Sequence, residues 1–443
     1  MNRITYKYLT AVLLSALLLM ACKGEDRSHE YEELTEHNTW VMTIMKDRYL
    51  WGDLIQEQNY KAYFYTLTKF FFTLTQSVGQ NDSWSYCQVD SALTDPYERG
   101  NFNRLDSYGM DFTTITDPTK ATSRTFARVT YVVDGSPAAN AGLHRNCFIS
   151  EVDGTKMAAS VATKNLKSGT NHNIIFHHLD TLETGQYYWT DTTTVTLSAS
   201  HTIVEPAFPC SETITRDATN VAYLLAARLL SRPYETESSG YDFKNDMDTK
   251  MTVMKANNPQ EMILDLRLCN HGTIEMAHRL ASYIVPTEKK SEVFAQTEWN
   301  SRYAGNNTVY NYDTSVSSME LQRIYIIMSS YTQGPAEWLI RALQLTLGEE
   351  NVILIGEKSK GQNVMTEFAG HEYGHRLFPA VCYVADATGN HSYGAFSPQN
   401  SISEGATTYL LSMKEYGDEE ETLLKAALDL IFPEEETEGE EGE

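Results

Sequence analysis

Residues 323–364 constrain the fold of this chain more than any other stretch. Ile324–Met328 is a short apolar run suited to a buried strand, and residues 329–334 are a polar turn. Pro335 can open a helix, because the N–H it lacks is one that a helix start leaves unpaired anyway. Trp338, Leu339, Ala342 and Leu343 then recur at helical spacing, and residues 352–355 are a second apolar run closed by Gly356. Strand, turn, helix and strand in this order predict a βαβ unit within a parallel sheet. In such folds the turn from strand into helix is where ligands and reacting groups gather. Here it reads T-Q-G-P-A-E, residues 332–337, with no nucleophile in it suited to that role.

A chain of 443 residues is long enough for two or three domains. Its formal net charge of −24 argues against a nucleic-acid partner. Part of the excess lies at residues 434–443, almost all Glu and Gly, which predicts a solvated, disordered tail. At the other end, Arg3 and Lys7 precede the run A-V-L-L-S-A-L-L-L-M-A-C, residues 11–22. A short basic region followed by an apolar one is a secretory signal, too short for a comfortable membrane span. Five further cysteines (Cys87, Cys147, Cys210, Cys269, Cys382) are scattered and form no C-x-x-C pair, so a zinc ribbon or thioredoxin-like site has no support.

Leu19-Met20-Ala21-Cys22 resembles a bacterial lipobox. The resemblance implies cleavage before Cys22, lipidation of its thiol and amine, and acyl chains that hold the protein on a membrane surface. Lys23, in place of Asp, points by analogy to the outer membrane of a Gram-negative cell.

Residues 23–36 are charged and unpatterned, and are expected to be a tether. A helical domain is expected over 37–100. Trp40, Val41, Ile44, Met45 and Tyr49 share one helical face, Thr39 is available as a cap, and residues 61–74 are dense in aromatic rings. Those rings suit a packed core, with an aromatic ligand groove as the alternative. Phe243, Met247, Met251 and Met254 form a stripe suited to a core. Residues 261–268 (E-M-I-L-D-L-R-L) are a buried strand, the turn C-N-H-G-T follows, and Ile274–Ile284 is a helix.

Between these regions, G-S-P-A-x-x-A-G-L and I-x-x-V-D-G, over residues 135–154, resemble a bacterial PDZ domain. The resemblance implies a β domain over 101–205 that captures peptide C-termini by strand addition. Its carboxylate-holding loop would be Tyr108, Gly109 and Met110. The alternative is a module that only packs against its neighbours.

A lipoprotein signal, an aromatic helical region ending in D-S-W-S-Y, a PDZ-like stretch, I-L-D-L-R and V-I-L-I-G-E-K-x-x-G-x-N-V follow one another. This order resembles the carboxyl-terminal processing (tail-specific) serine peptidases. It implies a multidomain α+β chain: an N-terminal helical domain, a PDZ-like β domain, and an α/β core of ClpP/crotonase-like type over 206–432, ahead of the tail 433–443. It implies no cofactor. Its partners would be protein or peptide C-termini, besides the membrane reached through the anchor.

The family's Ser nucleophile lies in a T-A-S-A-S-E-like turn, and its Lys base follows G-E-x-x-x-G. Laid on this sequence, the nucleophile position is Gly334 and the base position is Gln362. The Gly-rich turn that helps form the oxyanion pocket becomes Asn270, His271 and Gly272, after Cys269. Three losses at three places predict an inactive homologue, although the helix start at residue 334 could still hold a carboxylate or carbonyl. Two active alternatives stand beside it. One is a displaced Ser–Lys pair drawn from Ser329 or Ser330 and Lys358 or Lys360. The other is a zinc peptidase, because His371-Glu372-Tyr373-Gly374-His375 fits H-E-x-x-H and Glu404 could be a third ligand. Against zinc, Gly370 and Gly374 weaken a helix there, Pro379 stops one, and residues 377–384 alternate like a strand.

Overall fold

The βαβ unit forms with strand Ile324–Met328, helix Pro335–Leu347 and strand Val352–Gly356. The computed structural model describes residues 28–80, 82–90, 103–232 and 241–433. The apolar leader, Cys22 and the acidic tail therefore lie outside the described residues. No helix among the described residues is long and apolar enough to cross a membrane.

The two strands of the unit pair in parallel, with Tyr325 opposite Ile353. They belong to a six-stranded sheet in the order Cys210–Arg216, Thr219–Leu225, Glu261–Asp265, Ile324–Met328, Val352–Gly356, Asn400–Ser401. Only the first pair is antiparallel. The central strands are continuous apolar runs because both faces are covered. One face packs under the helices Phe243–Ala256, Ile274–Ile284 and Pro335–Leu347, where Phe243 and the three methionines are buried as the stripe required. The other packs on Leu423, Leu424, Ala427 and Leu428 of helix Thr422–Ile431. Each fully buried Ile, Leu or Met contributes about 1.5–3 kcal/mol relative to exposure.

Residues 103–204 make a separate sheet in the order Thr193–Leu197, His172–His177, Phe148–Val152, Thr125–Val132, Met110–Thr116. Ser136 caps the short helix Pro137–Asn140 by accepting the Ala139 N–H, and Asp153 and Gly154, both at positive φ, turn the following hairpin. This sheet and the six-stranded sheet fall in one compact unit, Asp90–Met365 with Cys382–Glu443.

The other unit is Met1–Val89 with Thr366–Val381. Among the described residues its first helix is Ser28–Arg48, so residues 28–36 of the stretch expected as a tether are helical. Thr39 lies inside that helix and its hydroxyl donates to the Thr35 carbonyl rather than capping. The run E-Y-E-E-L is made largely of good helix formers, which carries the helix back past residue 37. Val41, Met45 and Tyr49 are buried, as are Phe70, Phe71 and Leu74 of helix Leu67–Ser77.

In the same unit the H-E-Y-G-H stretch is a β-hairpin. Strands Gly370–Glu372 and His375–Phe378 flank a turn at Tyr373 and Gly374, both at positive φ. His371 stands opposite Arg376, and Glu372 opposite His375. The H-E-x-x-H mechanism needs both His rings one helical turn apart on a single face. A two-residue turn cannot supply that, which corrects the zinc-peptidase alternative.

Candidate functional site

The sheet delivers two loops to one place. Strand Ile324–Met328 ends in residues 329–334, and strand Val352–Gly356 ends in residues 357–363. The Lys360 N–H donates to the Thr332 carbonyl at 3.0 Å, which ties the loops together. Thr332 Oγ1 donates to the Leu266 carbonyl at 2.9 Å, and the Gln333 N–H to the Cys269 carbonyl at 3.1 Å, so the loop after strand Glu261–Asp265 joins them. The three stretches singled out in the sequence therefore meet.

Gly334 caps the helix with φ 59 and ψ −119, a conformation that strains any residue bearing a Cβ. A Cβ placed on it would lie 3.1 Å from Gln362 Oε1. The two positions read as nucleophile and base are thus side by side, buried, and occupied by residues that can neither attack nor take up a proton at neutral pH. The Gln362 side chain is turned to the backbone, Nε2 donating to the Val364 carbonyl at 2.9 Å.

Glu337, one turn into the helix, holds this arrangement. Its Oε2 accepts the N–H of Gly334 at 3.1 Å and of Gln362 at 2.6 Å. Its Oε1 accepts the Ser359 hydroxyl at 2.5 Å and the Gly361 N–H. Burial pushes its carboxyl above the ordinary range, against these four donors. Of the amides expected to greet a carboxylate here, that of Gly334 is spent on Glu337 and Pro335 has none.

The displaced-pair residues do not assemble either. The Ser329 hydroxyl donates to the Arg267 carbonyl at 2.6 Å and accepts the Tyr331 N–H at 3.0 Å, which makes it a turn brace. Lys358 and Lys360 are exposed.

In the third stretch Gly272 is required by packing: a Cβ there would meet the Leu229 carbonyl oxygen at 2.4 Å. Asn270 Oδ1 is buried with no partner among the described residues. The His271 imidazole is pushed down to about 4, mainly by burial and further by the positive charge of Arg228. Arg228 itself is buried and paired with Glu205 at 2.7 Å.

The other predicted site residues lie elsewhere. The Tyr108 N–H donates to the Lys167 carbonyl at 3.3 Å, and the Gly109 N–H to Ser107 Oγ at 2.9 Å. Neither amide is available to a peptide carboxylate, and Met110 is a buried strand residue opposite Val132. That corrects the expected carboxylate loop. Glu404 ion-pairs with Arg145 and, at 3.3 Å, with Arg267. The His375 ring nitrogen Nδ1 lies 2.7 Å from the Tyr373 carbonyl oxygen.

Sequence reasoning passed over Glu337. The letters T-Q-G-P-A-E did carry it, as an acid three residues into a helix whose cap has no side chain.

No protein-family model matches the sequence, and no curated protein matches it either. Solved structures do. The photosystem II D1 C-terminal processing protease covers 88% of this chain and 99% of its own at 13% identity, with a TM-score of 0.47. Mature CPAF covers 90% and 98% at 9% identity, with a TM-score of 0.44. A protein described as an S41 protease from Bacteroides fragilis matches with a TM-score of 0.78 at 24% identity, covering 88% of this chain and 96% of its own. Over most of its length, then, this chain shares the mixed helix-and-sheet fold of that S41 protease.

Proposed function

We propose that this chain is an exported, lipid-anchored homologue of the serine-type carboxyl-terminal processing peptidases that no longer cleaves peptide bonds and instead binds protein or peptide C-termini. The observation that carries this is the meeting of Gly334 and Gln362. The fold brings the two positions together as a Ser–Lys pair would need, and neither residue can perform its step. Pro335 adds to this, since an oxyanion hole built on the amide after the nucleophile would have no donor there.

The anchor would be Cys22, on the outer membrane of a Gram-negative cell. Residues 103–204 would be the PDZ-like domain, with its small sheet and Ser-capped short helix. Because the amides of Tyr108 and Gly109 are taken, peptide capture there would rest on strand addition to an edge of this small sheet.

The test is to incubate the purified protein with peptides of varied C-termini, with and without a metal chelator. Binding without cleavage is the expected outcome. Cleavage that survives chelation and is lost in Ser329→Ala would overturn it in favour of a displaced serine pair. Absence of any C-terminal peptide binding would leave a structural scaffold.

A further inference from the structure

The small sheet domain holds a cluster of reactive side chains that the proposed function does not use. His144 and Cys147 sit in the loop between helix Pro137–Asn140 and strand Phe148–Val152. His178 follows strand His172–His177, which pairs with Phe148–Val152 so that Phe148 stands opposite His177. That pairing sets Cys147 Sγ 3.5 Å from His178 Nε2, and His178 Nε2 lies 3.0 Å from His144 Nε2. The two rings stack with centroids 4.9 Å apart and planes 9° apart. One ligand atom from each of the three residues fits within 4.8 Å of the others.

The proton positions follow from the partners. His178 Nδ1 is 2.8 Å from Asp191 Oδ2, and Asp191 Oδ1 accepts the His178 backbone N–H at 2.9 Å. His144 Nδ1 is 2.8 Å from the Arg145 carbonyl oxygen. A carboxylate and a carbonyl can only accept, so both Nδ1 atoms carry hydrogen. In the neutral rings each Nε2 then presents a lone pair, and the two nitrogens lie only 3.0 Å apart. Such a contact is repulsive unless a proton or a metal cation lies between them. A third donor, Cys147 Sγ, lies 3.5 Å from His178 Nε2.

This is the donor set of a metal centre, with its three ligand atoms within 4.8 Å of one another. The Nδ1–H bonds to a carboxylate and a carbonyl are the outer contacts that hold zinc-binding histidines in place. A tetrahedral zinc with Zn–N of about 2.05 Å and Zn–S of about 2.3 Å separates two nitrogens by about 3.3 Å and a nitrogen from a sulfur by about 3.6 Å. The separations of 3.0 and 3.5 Å lie within a few tenths of an ångström of these. We propose that His144, Cys147 and His178 bind zinc(II), with the fourth position open to solvent beside the exposed ring of His144. Binding converts the Cys147 thiol to a thiolate and releases one proton to solvent. The metal would pin the loop that carries His144 to the end of strand His172–His177, where His178 sits. The residue after His144 is Arg145, buried against Glu404 and Glu421, so the pinned loop is also the one that reaches the large core.

The test uses the full chain without its leader, freed of metal by chelator and titrated with cobalt(II) and then zinc(II). One equivalent of cobalt should bind, with a thiolate-to-cobalt charge-transfer band and the intense visible bands of a tetrahedral site, and zinc should displace it. Cys147→Ser should remove the charge-transfer band. His144→Ala, an exposed position whose loss leaves the core intact, should weaken zinc at least tenfold, and Asp191→Asn by about 10–100-fold. His371→Ala with His375→Ala should change nothing. The proposal is overturned if the wild-type chain gives no thiolate band, or if a folded His144→Ala variant binds zinc as tightly as the wild type. None of these readouts involves peptide binding, so they stand or fall apart from the proposed function.

Discussion

A single imidazole reports on the vacant turn. His271 stays neutral in the folded chain because burial, helped by Arg228, holds it near 4, whereas in the unfolded chain it titrates at its ordinary 6.5. Between these values the unfolded state binds a proton that the folded state refuses. Stability from this residue is therefore complete above about pH 6.5 and drains away as pH falls toward about 4, on the order of 3 kcal/mol in all. Denaturant unfolding across that window should show the decline, and His271→Asn should flatten it; an unchanged slope in the variant would refute the assignment. At this scale the sequence was informative wherever meaning resides in the letter itself. Gly334 and Gln362 declare their inertness by composition alone. The zinc ligands do not, because the search for Cys pairs passes over H-x-x-C. The third ligand, moreover, is supplied by strand register, not by spacing along the chain.

The element that organises the candidate site is the helix Pro335–Leu347, and it does so through Glu337 rather than through its dipole. One carboxylate satisfies donors from its own helix cap and from residues 359, 361 and 362. The loop after strand Val352–Gly356 is therefore fixed by the helix beside it, which explains why two loops without reagents keep their geometry. Glu337→Ala removes the acceptor for all four, leaving a buried hydroxyl and three amides to find water. A loss of about 3–5 kcal/mol follows from unpairing such a buried hub. Hydrogen exchange at Gly361 and Gln362 should accelerate more than at strand Ile324–Met328, and equal acceleration at both would refute a local clamp. The βαβ order was legible because apolar runs and a Pro-opened helix leave strong local signals. The H-E-Y-G-H stretch was ambiguous because the same letters serve a helix or a two-residue hairpin turn. Pairing of His375–Phe378 with Tyr86–Val89, far away in sequence, settles it as strand.

At the scale of the larger unit, the small sheet is joined to the six-stranded sheet's core by charge buried out of water. Arg145, from the loop after helix Pro137–Asn140, reaches Glu404 and Glu421, and Tyr416 lies under its guanidinium at 4.0 Å. Glu421 is the hub. It binds Arg267 through both oxygens, at 2.7 and 2.9 Å, and caps the helix Thr422–Ile431 by accepting the Leu423 and Leu424 N–H groups. Burial alone would raise its carboxyl, but the charges of Arg267 and Arg145, with the hydrogen bonds it accepts, hold it below the ordinary range. Its contribution is therefore present above the usual glutamate value of about 4.3 and is lost as pH falls through the lower folded value. The two ends of the Arg145 link are unequal. Glu421→Gln strips a negative charge from two buried guanidinium groups and weakens a helix cap, and should cost about 3–5 kcal/mol. Arg145→Leu leaves Glu421 still held by Arg267 at both oxygens and replaces the charge with apolar bulk, so it should cost clearly less. Thermal unfolding of the two variants side by side measures this, and a larger loss in Arg145→Leu would show that the Arg145 ion pair, rather than Arg267, is what keeps Glu421 charged.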